Sequence, residues 1–309
     1  MEILKPKLLK RGDVIGIIAP ASPPSDEQSL NRGIEYLEKL GYRIVLGKHV
    51  SDRYGYLAGK DVDRANELND FFSNKNIKAI FVLRGGYGSS RILPYINYNL
   101  IKRNPKIFVG YSDITAIHLA LYKKCRMLTF SGPMLEPDFS KKIAPNVEEL
   151  FWRLLTSNSP IENILSYSTK SIHLSFNKKI YGRIIGGNLS IITSLIGTQY
   201  FPELKGKILI LEDIDERPYR IDRMLTQLKL SGNLKRIKCI VLGDFSSCIE
   251  KKNVPSLKLD EIFKDILGDI PLVKNFEFGH IRTSLPIPYG IKVEISENFL
   301  RFLEPAVVS

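Results

Sequence analysis

At 309 residues and 35.1 kDa, the chain is long enough to bury one large core or two moderate ones, and two is the simpler expectation. Apolar residues at 44% and charged residues at 25% match ordinary globular usage, which excludes a disordered or fibrous chain. The net charge of +12 favours anionic partners, but the basic residues are spread from Lys5 to Arg301 in ones and twos with no aromatic-interleaved stripe, which argues against nucleic acid and for a solvated surface that helps capture acidic substrates.

The chain opens with Lys5, Lys7, Lys10 and Arg11 ahead of an apolar run over 14–19, an arrangement that imitates a signal peptide. Asp13 interrupts the join, and six apolar residues fall short of the roughly 7 to 15 a signal requires. A buried first strand is the better reading. The longest apolar candidate for a membrane span, 184–197, is broken by Gly186, Gly187, Asn188 and Ser190. A cytoplasmic protein without a membrane partner is therefore expected, and the three scattered cysteines Cys125, Cys239 and Cys248 agree with a reducing compartment.

Through residue 137, short β-rich runs alternate with amphipathic stretches, the pattern of a parallel sheet covered by helices. Strands are expected at 14–19, 43–46, 79–83 and 106–109. Helices are expected at 26–40, on the spacing of Leu30, Ile34, Leu37 and Leu40, and at 61–72, on Ala65, Leu68 and Phe72. A polar passage over 138–171, with one short helix at 147–155, reads as a linker. From 172 to 309 strands dominate (179–185, 207–212, 237–242, 291–295 and 300–303), with helices at 189–195, 220–230 and 259–267. The expected fold class is α/β, with an N-terminal parallel layered domain and a C-terminal β-rich mixed domain.

Gly85-Gly86-Tyr87-Gly88 directly follows the third strand, where backbone N–H groups can approach an anion, although a tight turn uses glycines in the same way. It fails the dinucleotide fingerprint because position 91 is Arg. Gly55 to Asp61 fails the phosphate-loop pattern in spacing and in its last residue. Gly110-Tyr111-Ser112-Asp113 ends a strand and opens a helix, so Ser112 stands either at a nucleophile elbow or as a simple helix cap. Of the four histidines, His118 lies six residues on, about 240° around a helix from Ser112, and reads as packing. His280, in the loop-like Phe278-Gly279-His280, is the best candidate base. Four acids, Glu212, Asp213, Asp215 and Glu216, compete to orient it at the end of a buried strand, where alternation turns Glu212 and Asp213 to opposite faces. No His, Cys, Asp or Glu grouping has metal-ligand spacing, so neither metal nor cofactor is expected.

Taken in order, Arg84-Gly-Gly-Tyr-Gly88, Gly110-Tyr-Ser-Asp113, Gly182-Arg-Ile-Ile-Gly-Gly-Asn188, Leu211-Glu-Asp213, Tyr219-Arg-Ile-Asp-Arg223 and Phe278-Gly-His280 resemble the LD-carboxypeptidase family of serine peptidases over nearly the whole chain. The resemblance implies a class I glutamine amidotransferase-like or flavodoxin-like first domain, Ser112 as nucleophile, His280 as base and then acid, and Glu212, in place of the more usual Asp, as the group that orients the imidazole. It also implies an oxyanion hole from the backbone of Asp113 and of Gly85 or Gly86. The implied substrate is cytoplasmic murein tetrapeptide, which loses its terminal D-alanine in cell-wall recycling, with a homodimer left open. The alternatives are a peptidase of microcin C-type aminoacyl nucleotides and, more remotely, a non-catalytic nucleotide or phosphate-binding module on Gly85–Gly88.

Overall fold

The computed structural model describes residues 3–309. Its first half runs β1 (Val14–Ile18), α1 (Glu27–Lys39), β2 (Arg43–Leu46), α2 (Asp61–Ser73), β3 (Ile77–Val82), α3 (Ser89–Ile92), α4 (Tyr98–Arg103), β4 (Ile107–Val109), α5 (Thr115–Cys125) and β5 (Thr129–Ser131). Strand β1 is buried at every position, as a central parallel strand covered on both faces must be. Helix α1 starts where the Asp26 side chain accepts from the Ser29 N–H, and it turns Leu30 and Leu37 into the core. Strands β1 to β5 are all joined by parallel pairings, in the sheet order β5-β4-β3-β1-β2.

Helix α6 (Pro145–Thr156) lies in the passage expected to link two domains. It is not a loose connector. Phe151 and Trp152 pack on Phe81 of β3, with ring centroids 5.8 and 6.3 Å away, and Trp152 stacks on Tyr42 at 5.2 Å. The second half continues with β6 (His173–Leu174), β7 (Ile180–Asn188), α7 (Leu189–Ser194), β8 (Lys207–Ile214), α8 (Pro218–Leu230), β9 (Cys239–Ser246), α9 (Leu259–Leu267), β10 (Leu272–Lys274), β11 (Ile287–Tyr289), β12 (Lys292–Ser296) and β13 (Phe299–Phe302). Seven of these strands form a mixed sheet, β13-β12-β7-β8-β9-β10-β6, whose centre β7 to β10 is parallel.

Strand β11 crosses the expected division at residue 172. It leaves the second half and pairs antiparallel with β5, Ile287 opposite Ser131 and Tyr289 opposite Thr129, so that the first sheet has six strands. Pro288 is tolerated there because β11 is the edge strand. The chain between β10 and β11 thereby bridges the two sheets, close to the carboxyl ends of β3, β4 and β8. In α/β folds those strand ends are where ligands bind.

Candidate active site

Strand β4 ends at Val109, and the chain turns through Gly110 and Tyr111 into a short 3-10 turn, Ser112–Ile114, that leads into α5. Ser112 holds φ at +63°, a left-handed conformation disfavoured for a residue with a Cβ. A helix cap needs no such strain, because its usual backbone is extended. The elbow is braced from below by His118. Its Nε2–H donates to the Gly110 carbonyl at 2.8 Å, so its Nδ1 accepts from the Thr129 hydroxyl, also at 2.8 Å. Burial pushes this imidazole down to about 4 and keeps it neutral. His118 therefore touches the elbow's backbone rather than standing clear of it, and both of its ring nitrogens are used.

His280 reaches Ser112 from the bridging chain. Its Nε2 lies 3.0 Å from Ser112 Oγ, and its Nδ1 lies 2.7 Å from Oε2 of Glu212 on β8. Since the carboxylate can only accept, Nδ1 carries the proton and Nε2 is left to take one from the serine hydroxyl. Burial alone would lower the pKa of His280, but the hydrogen bond and charge of Glu212 outweigh it and raise it above the ordinary imidazole value. Tyr111 packs edge-on against the imidazole, centroids 5.3 Å apart, and limits its rotation.

Of the four acids, the alternation of β8 turns Glu212 towards His280. Glu212 is buried against His280. Asp213 faces the other way and accepts from Asn188 Nδ2 at 2.9 Å, the Ser190 N–H at 2.9 Å and the Ser190 hydroxyl at 2.7 Å. Asp215 is exposed, and Glu216 pairs with Arg220 at 2.7 Å.

Gly85 lies against the elbow so closely that a methyl group there would stand 3.0 Å from Ser112 Cβ and 3.1 Å from Oγ. The backbone N–H of Asp113 lies 3.6 Å from the same point. The Asp113 side chain looks away and accepts from the Ser89 N–H at 2.8 Å, fastening the start of α3 to the elbow. On the far side, the buried guanidinium of Arg64 donates to the Gly88 carbonyl at 3.0 Å and to that of Pro20. The glycine loop is thus held against Ser112 by polar contacts from both flanks.

Several residues of the site carry no sign in the sequence. Asp138 is half-buried, held by the Met134 N–H at 2.9 Å and adjacent to Tyr111, and desolvation raises its carboxyl to about 6. Glu136 accepts from the Ser25 N–H at 3.0 Å and from its hydroxyl, with Arg84 at 3.8 Å. These acids belong to an irregular turn, where neither helical nor strand periodicity marks which side chains point inward. Among the described residues no three or more His, Cys, Asp or Glu side chains are grouped so as to hold a metal ion.

A serine strained into the open on a strand-to-helix elbow, hydrogen-bonded to an imidazole that is itself held by a buried carboxylate, is the working arrangement of serine hydrolases. The narrower class follows from comparison with known proteins. Residues 15–132 match the LD-carboxypeptidase N-terminal domain, and residues 181–295 match the LD-carboxypeptidase C-terminal domain. A probable murein peptide carboxypeptidase of Bacillus subtilis strain 168 is 38% identical, over 94% of this chain and 91% of that one. Among solved structures, the microcin C7 self-immunity protein MccF superposes with a TM-score of 0.89 at 29% identity, over 99% of this chain and 100% of that one. A muramoyltetrapeptide carboxypeptidase from Oxalobacter formigenes superposes with a TM-score of 0.81 at 29% identity, over 94% and 97%. The chain belongs to the LD-carboxypeptidase family of serine-type peptidases.

Proposed function

We propose that this enzyme releases the terminal D-alanine of murein tetrapeptide in the cytoplasm, cutting the bond that joins it to the L-centre of the preceding diamino acid. The observation that carries the mechanism is the unbroken hydrogen-bonded chain from Ser112 through His280 to Glu212, at 3.0 and 2.7 Å. His280 takes the proton as Ser112 Oγ attacks the scissile carbonyl. Glu212 stabilises the resulting imidazolium, and the backbone N–H groups of Asp113 and of Gly85 or Gly86 receive the oxyanion. His280 then hands the proton to the departing D-alanine nitrogen, leaving a tripeptidyl ester on Ser112. A water molecule activated by the same imidazole hydrolyses that ester.

The murein substrate is supported by the B. subtilis and O. formigenes relatives. The likeness to MccF supports a second reading, hydrolysis of a microcin C-type aminoacyl nucleotide. A stacking tryptophan for a nucleobase is not available in the cavity at Ser112. Trp152, the only one in the sequence, packs on Tyr42 and Phe151 and donates Nε1–H to the Tyr36 hydroxyl at 3.0 Å. Incubation with murein tripeptide, tetrapeptide and pentapeptide, and separately with an aminoacyl sulfamoyl nucleoside, tests both readings. Release of D-alanine from the tetrapeptide alone is expected, and cleavage of the nucleoside without D-alanine release would replace the murein reading.

A further inference from the structure

Two cavities flank the Ser112–His280 pair. The first, about 440 Å³, is bordered by Gly85, Gly86, Ser112 and His280, with Arg84 and Lys141 as its cations. The second, about 360 Å³, lies against Gly279 and Ile281 on either side of His280 and shares Lys141 with the first.

An enzyme that removes a single C-terminal residue must recognise the carboxylate two bonds beyond the scissile nitrogen. The chemistry fixes where that carboxylate lies. The leaving nitrogen receives its proton from His280 Nε2, so the departing residue sits on the imidazole side of Ser112, while the carbonyl oxygen points to the Gly85–Gly86 side. Arg84 adjoins the glycines, on the oxyanion side, and its charge is met by Glu136 at 3.8 Å. Lys142 and Arg282 border only the second cavity, away from Ser112. Lys141 borders both cavities and is exposed, and among the described residues it has no carboxylate within ion-pair distance.

We propose that the Lys141 ammonium binds the terminal carboxylate of the departing residue and thereby makes the enzyme an exopeptidase. This assignment rests on the serine-peptidase reading of the site. It accounts for a cation that borders both the cavity at the serine and the one at the flank of the imidazole loop, with no carboxylate at ion-pair distance.

The test compares kcat and KM for murein tetrapeptide as the free acid and as its C-terminal carboxamide, in the wild type, Lys141→Met, Lys141→Arg and Arg84→Met. The wild type is expected to favour the free acid by about 10- to 100-fold, the size of one charge-assisted hydrogen bond. Lys141→Met should abolish that preference by raising KM for the acid and leave the carboxamide unaffected, and Lys141→Arg should retain most of it. Arg84→Met should alter both substrates alike. An acid-to-carboxamide ratio unchanged in Lys141→Met, or lost instead in Arg84→Met, overturns the assignment and leaves the murein reading standing. A wild type that releases neither D-alanine from the acid nor D-alaninamide from the carboxamide overturns both.

Discussion

Ser112 carries the cost of its own placement. A φ of +63° in a residue with a Cβ costs on the order of 1–2 kcal/mol, and it is held by the His118–Gly110 bond beneath it and by the close approach of Gly85. Glycine adopts this φ freely and alanine does not. Ser112→Gly is therefore expected to unfold about 1 kcal/mol less readily than Ser112→Ala, which chemical denaturation at matched conditions measures. Equal stabilities would mean that the elbow is relaxed. At His280 the carboxylate partner sets the pH response. In the proposed mechanism the neutral imidazole is the base, and its pKa is raised above the ordinary imidazole value, so kcat/KM should fall as pH drops through a midpoint above that value. Glu212→Gln should move that midpoint down and lower kcat by roughly 10³- to 10⁴-fold with little change in KM. Asp215→Asn should stay near wild type, because Asp215 is exposed and its positive φ is one that asparagine tolerates. A pH–rate series on the three proteins checks both statements, and a crippled Asp215→Asn beside a mild Glu212→Gln would reverse the assignment.

Two loops bring the reacting groups together. The glycine loop after β3 leaves only tight room for a side chain at Gly85, which would press on Ser112, although its backbone lies outside the left-handed region, so Gly85→Ala should fold almost normally. It should still lose about 10²-fold in kcat through displaced Ser112 and oxyanion donors. Turnover within a few-fold of wild type, with an unchanged melting temperature, would show that the loop yields. The loop carrying His280 is anchored by Glu277, which accepts from the Ser168 hydroxyl at 2.7 Å, the Thr169 hydroxyl at 2.6 Å and the Thr169 N–H at 2.5 Å. Burial alone would raise this carboxyl, but those bonds, together with one from the Thr283 side chain, hold it at about 2. Its contribution to stability is therefore full above the ordinary carboxylate value of 4.5 and is lost as pH falls towards 2. Glu277→Gln should cost about 1–3 kcal/mol at neutral pH and flatten the acid side of the melting-temperature profile. An unaltered profile would remove the anchor from the account.

Elements long enough to repeat a pattern are legible in the sequence, as is the short apolar run of β4. Helix α9 is readable at its observed bounds, 259–267, because Ile262, Phe263 and Leu267 recur at helical spacing. Strands β5 and β11 span three residues each, too few to show alternation, and β11 contains a proline. Nothing local announces that residues 287–289 return to the first sheet. The site shows the same limit. The chemistry of Ser112, Glu212 and His280 is visible as residue types, but partners 68 and 168 positions apart meet only through the fold, and their pairing was legible by resemblance to a family rather than by spacing.

At the scale of the whole molecule, Ser112 stands on the turn that follows β4 of the first sheet, Glu212 lies in the second sheet, and His280 lies in the chain that bridges them through β11. The proposed relay is thus a property of the assembled protein, and neither sheet alone carries it complete. The arrangement explains why a three-residue edge strand matters, since the β5–β11 pairing fixes the downstream end of the loop that holds His280. The most direct test is D-alanine release from murein tetrapeptide by the wild type and by Ser112→Ala at equal thermal stability. Steady release by the wild type and a rate at least about 10⁴-fold lower in Ser112→Ala are expected, as for loss of a covalent nucleophile. A folded Ser112→Ala that releases D-alanine within tenfold of the wild-type rate would contradict covalent catalysis at this serine.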